Sequence, residues 1–495
     1  MKKTTRRKEM LLKAIAMLLI VILATAACWH EIGTLVASGK VDSESAMVQS
    51  IMDKTATPGV AILSTSNGKT EFKTYGYADK AQGQEVTAES LFELGSTTKA
   101  FTALAVIMLQ NQGDLAFTDD VSQYLPEFTP TYKGGKAKIS INQLLSHTSG
   151  IPSWSIRLIP EGSGKEQLVA TIHKMSSLAL DIQPGSAYQY ATVNYDILAA
   201  VIERVTGMSY QDYVTEHILK PLGMNDSYFS TGQERKPEQL AQGYRVFFGK
   251  SIPYDAPRYY GNIAAGYLVT NLNDLQHWVN AQLGSSAIPD DLQKAIQQSH
   301  EPDLRTAGHE SGDLLYAFGW SQDPETRVIR HSGSNPNYSS QVIIDPERKE
   351  GVFVLANLNS TAPALIAQNI YDQMQGQPMK AFKYDDTYVL MDGIGSFLVV
   401  LTVIAIAFKL IRLAVGRSGY ATHEKGIRRQ KIKARVTLLI RALLLLFVLG
   451  WPLLVNYNYT MISVWMSYSV LLWMGLASLS CVLSMVLAGN DLRRV

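Results

Sequence analysis

The sequence predicts an α/β sandwich, an antiparallel sheet flanked by helices plus a helix-rich lobe, followed by a three-helix transmembrane domain. Three observations carry this prediction. Strand-like runs lie at both ends of the region 29–385, with a helix-rich, loop-rich stretch inserted between them. Short turn signals join those runs into hairpins. From about residue 388 the composition changes to three long apolar stretches interrupted by a basic segment.

In chain order, residues 1–28 carry Lys2, Lys3, Arg6, Arg7 and Lys8, then an apolar run from Met10 to Ala27. That pattern is a signal peptide or an N-terminal membrane anchor, and the segment after it is exported. Ala24-Thr25-Ala26 offers a cleavage site. Cys28 offers a lipidation site, although Thr25 stands where such sites carry Leu. A helix is expected over Val41 to Thr55, then strands near 59–64 and 70–77. Asn67-Gly68 between them is a hairpin turn. A helix over 97–112 follows, with Phe101, Leu104, Ala105, Ile107 and Met108 as its apolar face and Gly113 as its stop. Residues 115–300 form the helical lobe, where the turn Pro184-Gly185 precedes a helix from Asp196 to Thr206. Strands return at 327–332, 338–345 and 351–357, with Asp345-Pro346-Glu347-Arg348 turning between the last two. A sheet assembled from both ends brings residues near 331 beside Ser96.

The domain organisation is therefore 1–28, 29–385 and 386–495. The apolar stretches near 390–411, 436–456 and 461–488 are each long enough to span a bilayer. Between the first two lie Arg412, Arg417, Lys425, Arg428, Arg429, Lys431, Lys433 and Arg435 against the single acid Glu424. The positive-inside rule makes that segment cytoplasmic and residues 29–385 extracytoplasmic. The second span returns at Asn456 to Thr460, and the third ends inside at Arg493-Arg494. Trp451, Tyr457, Tyr459 and Trp465 suit the outer interface. Arg441 lies near the cytoplasmic end of its span and snorkels.

A net charge of +2 gives no case for nucleic acid. Cys28 and Cys481 both lie in apolar segments, so there is no disulfide framework or thiolate metal site between them. No HExxH or similar spacing occurs among the nine histidines, and no cofactor or metal is expected.

The stretch Glu93-Leu94-Gly95-Ser96-Thr97-Thr98-Lys99 carries the chemistry. Ser96 and Lys99 share one face of a first helical turn. A serine needs a base, and a lysine is a base only when its pKa falls. Burial against Phe101 and Leu104 and the positive end of the helix dipole both push it down. Ser66-Asn67-Gly68-Lys69 has the same spacing but reads as a hairpin turn. Ser96 also suits a helix cap. Tyr190, within Tyr188 to Tyr195, is a proton relay or one of an aromatic cluster packing a helix. His331-Ser332-Gly333 ends a strand; it offers an edge N–H to an oxyanion or is a plain strand-end turn.

Together these residues resemble the serine β-lactamase and penicillin-binding-protein superfamily, in its class C-like branch, peptidase family S12. The resemblance covers residues 42–375. It rests on Ser96-Thr97-Thr98-Lys99, on Leu144-Leu145-Ser146-His147-Thr148-Ser149-Gly150-Ile151, on Tyr190 in a Tyr-x-Asn motif and on His331-Ser332-Gly333. It implies Ser96 as acylated nucleophile, Lys99 as base and Tyr190 as relay. It also implies an oxyanion hole from the backbone N–H groups of Ser96 and Ser334, and an architectural His147. Thr192 departs from the pattern, which has Asn there, and this puts ordinary β-lactam or cell-wall peptide hydrolysis in doubt.

An exported domain of this kind followed by three spans resembles a narrower group. These are the membrane-bound D-asparaginyl peptidases of the colibactin-maturing kind, which activate nonribosomal-peptide prodrugs. The match includes Glu93 to Ser96, Tyr190-Ala191-Thr192, Asn194-Tyr195-Asp196 and His331 through Ser340. It implies removal of an N-acyl-D-asparagine cap at the bacterial inner membrane. Glu93, Thr192, Asn262 and Asn335 would then form the pocket, with His331 and Gly333 along the substrate; a primary amide needs both donors and acceptors. The partners implied are a peptide prodrug and the membrane. Contact with an exporter and pairing as a homodimer stay open. Two alternatives stand beside this reading: a broader hydrolase of D-Ala peptides, β-lactams or esters, and a catalytically silent receptor or scaffold.

Overall fold

The computed structural model describes residues 43–493 except 165, 231–236, 302–306, 311–312, 380–385, 416–422 and 455–456. The leader 1–28 with its cleavage and lipidation sites lies outside the described residues, as do Val41, Arg417, Asn456 and Arg494. The chain forms two compact units, one of Gly39–Arg245 with Ser251–Phe382 and one that includes Val246–Lys250 and Lys383–Val495.

The first unit begins with α1 (Glu44–Thr55), capped by Ser43, whose hydroxyl accepts the Ala46 N–H at 3.2 Å. Strands β1 (Gly59–Ser66) and β2 (Lys69–Asp79) follow. Asn67 and Gly68 between them hold φ of 52° and 74°, the left-handed pair that a two-residue hairpin requires. Ser66 and Lys69 are thus cross-strand neighbours, and the second Ser-x-x-Lys match is a turn. With β3 (Gln84–Glu85), β4 (Gly308–His309), β5 (Leu315–Ala317), β6 (Trp320–Gln322), β7 (Ile329–Asn335), β8 (Tyr338–Asp345) and β9 (Glu350–Ala356), they form a nine-stranded antiparallel sheet. Its order is β4-β5-β6-β7-β8-β9-β1-β2-β3. Strands from the two ends of the region therefore meet where β1 pairs with β9, Val60 opposite Ala356. The short strands β4 to β6 were not anticipated; runs of two or three residues are too brief to show an alternation.

Alternation along β1 sends Val60 and Ile62 into a cluster with Ile51 of α1 and Ile366 and Ile370 of α4 (Ala362–Met374). Ala61 and Leu63 face the opposite core, which contains α2 (Lys99–Gln112) and α3 (Val193–Thr206). Every residue of α2 from Lys99 to Leu109 is buried, so the helix is enclosed on all sides rather than on the one face its pattern suggested. Phe101 stacks on Trp278 with centroids 3.7 Å apart. Gly113 ends the helix in the left-handed conformation, φ 85°.

In the second unit, α5 (Thr387–Val415), α6 (Glu424–Leu454) and α7 (Tyr468–Arg493) are each long and apolar enough to cross a membrane. Helix α7 packs on both α5 and α6. The basic stretch from Glu424 to Arg435 is the start of α6 rather than a loop. The last apolar stretch is also divided. A separate short helix of about two turns, Tyr459–Trp465, is capped by Asn458, and extended Met466 breaks it from α7.

Candidate active site

The nucleophile turn is set by its neighbours. Gly95–Thr98 form a 3-10 turn leading into α2. Thr97 Oγ1 and Ser340 Oγ both donate to the Leu94 carbonyl, at 3.0 and 2.6 Å, tying the turn to β8. Gly95 holds φ 58°, and a Cβ there would collide with the backbone nitrogen of Ser334. A Cβ on Gly333 would likewise collide with the Leu94 carbonyl. Both positions need glycine because β7 and the nucleophile turn touch backbone to backbone, which brings the Ser334 nitrogen against Gly95, the residue before Ser96. Strand β7 lies inside the sheet rather than at its edge. Its pairing with β6, however, stops at Arg330, so among the described residues His331 to Asn335 have a strand partner only on the β8 side.

Neither the 3-10 turn nor α2 has a side-chain N-cap, so Ser96 is not a helix cap. Its Oγ instead lies 2.9 Å from Lys99 Nζ. The same nitrogen donates to the Ala265 carbonyl at 2.9 Å and to Thr192 Oγ1 at 3.2 Å. A carbonyl can only accept, so a neutral amine keeps its two protons on Ala265 and Thr192 and turns its lone pair to Ser96. Lys99 is fully buried, and burial lowers its pKa to about 7, with Asp196 pulling the other way.

The Tyr190 ring lies 5.2 Å from Lys99 Nζ, and the phenol is close enough to Ser96 for that hydroxyl to bear on its titration. Burial raises the pKa of this phenol, which is therefore neutral and a proton donor. Beneath it sits His147, ring centroids 4.2 Å apart, amid Tyr195 and Tyr316 as well. The aromatic cluster expected around Tyr190 is present. His147 Nδ1 lies 2.8 Å from Asn194 Nδ2, and Ser149 donates to Asn194 Oδ1 at 2.9 Å, which fixes that amide. Nδ1 consequently accepts. Burial above all, with Lys99 adding to it, holds the ring neutral, well below the usual histidine range. His147 touches the tyrosine from below and buttresses it.

His331 is also buried and neutral, its pKa lowered to about 3 by burial and by Lys99. Its Nδ1 contacts the Ser332 carbonyl at 2.7 Å and its Nε2 the Tyr316 hydroxyl at 2.9 Å. Both nitrogens are used, and no positive charge is offered. Glu93 is 1% exposed and forms an ion pair with Arg258. Its other oxygen accepts from Asn335 Nδ2 at 2.7 Å, and the same amide donates to the Gly266 carbonyl at 2.9 Å. Thr192 Oγ1 reaches Asn262 Oδ1 at 3.5 Å. One wall beside Lys99 is thus built of amides, a hydroxyl and a carboxylate.

Four participants were not singled out for a role from sequence: the Ala265 carbonyl, Arg258, Tyr316 and Asp196. Asp196, in the first turn of α3, is fully buried, and both its oxygens lack a hydrogen-bond partner among the described residues. Burial raises its pKa well above the carboxylate range, opposed by Lys99. An acid otherwise surrounded by apolar helix residues was the one available signal, but helix starts favour acids for ordinary reasons.

The β-lactamase family model matches residues 45–376. The chain is 29% identical over 437 residues to Protein flp of Staphylococcus aureus, covering 86% of this chain and 85% of that one. It is 28% identical to Penicillin-binding protein 4* of Bacillus subtilis, over 66% of this chain and 76% of that one. Among solved structures, an octameric penicillin-binding protein homologue from Pyrococcus abyssi matches with a TM-score of 0.58 and 26% identity. That match covers 71% of this chain and 80% of the other. The chain belongs to the β-lactamase family of serine hydrolases.

Proposed function

We propose that this β-lactamase family member is a membrane-bound peptidase that removes an N-acyl-D-asparagine cap from a peptide prodrug through an acyl-enzyme on Ser96. The observation that carries the hydrolase reading is the buried Lys99 amine 2.9 Å from Ser96 Oγ. Lys99 takes the Ser96 proton as Oγ bonds to the scissile carbonyl carbon. The oxyanion accepts from the Ser96 and Ser334 N–H groups. The Tyr190 hydroxyl gives its proton to the leaving nitrogen and recovers one from Lys99 as the C–N bond breaks. Water, deprotonated by the same relay, then frees Ser96.

Two features support the D-asparagine cap. In the wall formed by Thr192, Asn262, Asn335 and Glu93, the Asn335 N–H groups and both Glu93 oxygens hold the wall together, and the Asn262 amide N–H and Asn335 Oδ1 supply the donor and acceptor suited to a primary amide. Neutral His331, with both nitrogens engaged, gives no cation for the terminal carboxylate of a D-Ala peptide. The three apolar helices hold the protein in the bacterial inner membrane, with the hydrolase unit outside, where it meets precursors delivered by an exporter.

A broader hydrolase is the second reading, favoured by the relationship to Penicillin-binding protein 4*. Purified full-length protein tested on N-acyl-D-Asn, N-acyl-L-Asn and D-Ala-D-Ala amides separates the two. Cleavage of the D-Asn amide in preference to both others is expected. Cleavage of the D-Ala-D-Ala amide alone rejects the D-asparagine assignment, and loss of all turnover in Ser96→Ala ties the activity to this site.

A further inference from the structure

Outside the hydrolase site, the described residues contain a cavity of about 410 Å³ among the three C-terminal helices. Lys409 and Arg412 of α5 and Lys433 and Arg441 of α6 line it, with Asp491 of α7 as the one acid and Phe408 among the apolar residues. Four cations meeting one carboxylate leave the cavity strongly positive. Two of the four are already engaged. Lys409 donates to the Ser480 carbonyl at 2.9 Å, and Arg412 pairs with Asp491 at 3.0 Å. Lys433 and Arg441 have no ion-pair partner among the described residues.

Placement makes this arrangement informative. The apolar part of α6 starts after Arg435, so Arg441 lies six residues inside it, about 9 Å along the axis. A guanidinium at that depth cannot discard its proton and is costly without an anion. Basic pockets between spans on the cytoplasmic side suit phosphate headgroups, and the apolar residues of the lining suit acyl chains.

We propose that this cavity binds the headgroup of an anionic phospholipid, with the phosphodiester held between Lys433 and Arg441 and completed by Lys409. The inference rests on α5, α6 and α7 spanning a bilayer and is independent of the hydrolase reading. Resistance of the full chain to carbonate extraction checks the spanning separately.

The test is native mass spectrometry of the detergent-solubilised full-length protein after exchange with phosphatidylglycerol or phosphatidylcholine at equal concentration. Roughly tenfold greater retention of phosphatidylglycerol is expected, Lys433 and Arg441 each favouring an anionic lipid several-fold. The double substitution Lys433→Gln/Arg441→Gln removes that preference, whereas Arg428→Gln/Arg435→Gln, on α6 but outside the cavity lining, retains it. Millimolar inorganic phosphate leaves the bound lipid in place. Equal retention of the two lipids by the unaltered protein overturns the proposal, and that arm needs no variant to fold. Equal loss in both double variants, or displacement by inorganic phosphate alone, overturns it as well.

Discussion

Two regions of this chain gather positive groups and treat them in opposite ways. At Lys99 the nitrogen has three oxygen neighbours, a serine, a threonine and a backbone carbonyl, none of them an anion. Burial then shifts the amine toward its neutral form, and the group becomes a base near pH 7. In the cavity of α5, α6 and α7, guanidinium groups cannot make that change. Asp491 answers one of them, and a counter-anion is needed for the rest. Burial of a lysine among neutral dipoles yields a proton acceptor, whereas an arginine set into an apolar helix keeps its charge and calls for an anion.

Substitutions break or sharpen this contrast. The largest effect is expected from Ser96→Ala, which should lower turnover by roughly 10³-fold or more while leaving membrane insertion unchanged, read by steady-state hydrolysis and fractionation. Lys99→Met should lower kcat by about 10²- to 10⁴-fold. Its thermal midpoint should hold or rise, because an apolar chain of similar length replaces a buried amine. Arg441→Met, the matching change in the second region, should leave hydrolysis unaltered. Gly95→Ala should cost more than about 1 kcal/mol in denaturant unfolding, since φ 58° is unfavourable for alanine and the Cβ meets Ser334. It should also lower kcat by displacing the Ser334 N–H. The smallest effect is expected from Asp196→Asn. The Asp196 charge raises the Lys99 pKa, so its removal should move the acid limb of the rate profile to lower pH by less than about one unit, burial already holding much of that carboxyl neutral.

Much of the site could be read before the fold was known because it is local. Ser96 and Lys99 are one turn apart, and Asn67-Gly68 and Gly113 announce their own backbone conformations. The meeting of strands from both ends followed from the hairpins that bracket the helical lobe. What could not be read depends on distant partners. Glu93 finds Arg258 and Asn335 through the closing of the sheet. The Nε2 partner of His331 is Tyr316, fifteen residues back on a strand too short to recognise, and its neutrality comes from burial and from Lys99, far away in sequence. Likewise, the break at Met466 divides a continuous apolar run whose composition gives no sign of it.

The central claim is that burial makes Lys99 the base for Ser96, and the pH dependence of kcat/KM for a neutral amide substrate tests it most directly. The base must be unprotonated in the free enzyme, so the rate should climb about tenfold per pH unit below about 7 and level off above it. Lys99→Met should lose that limb along with the activity. A profile still rising toward pH 10, the range of an ordinary lysine, would contradict the claim.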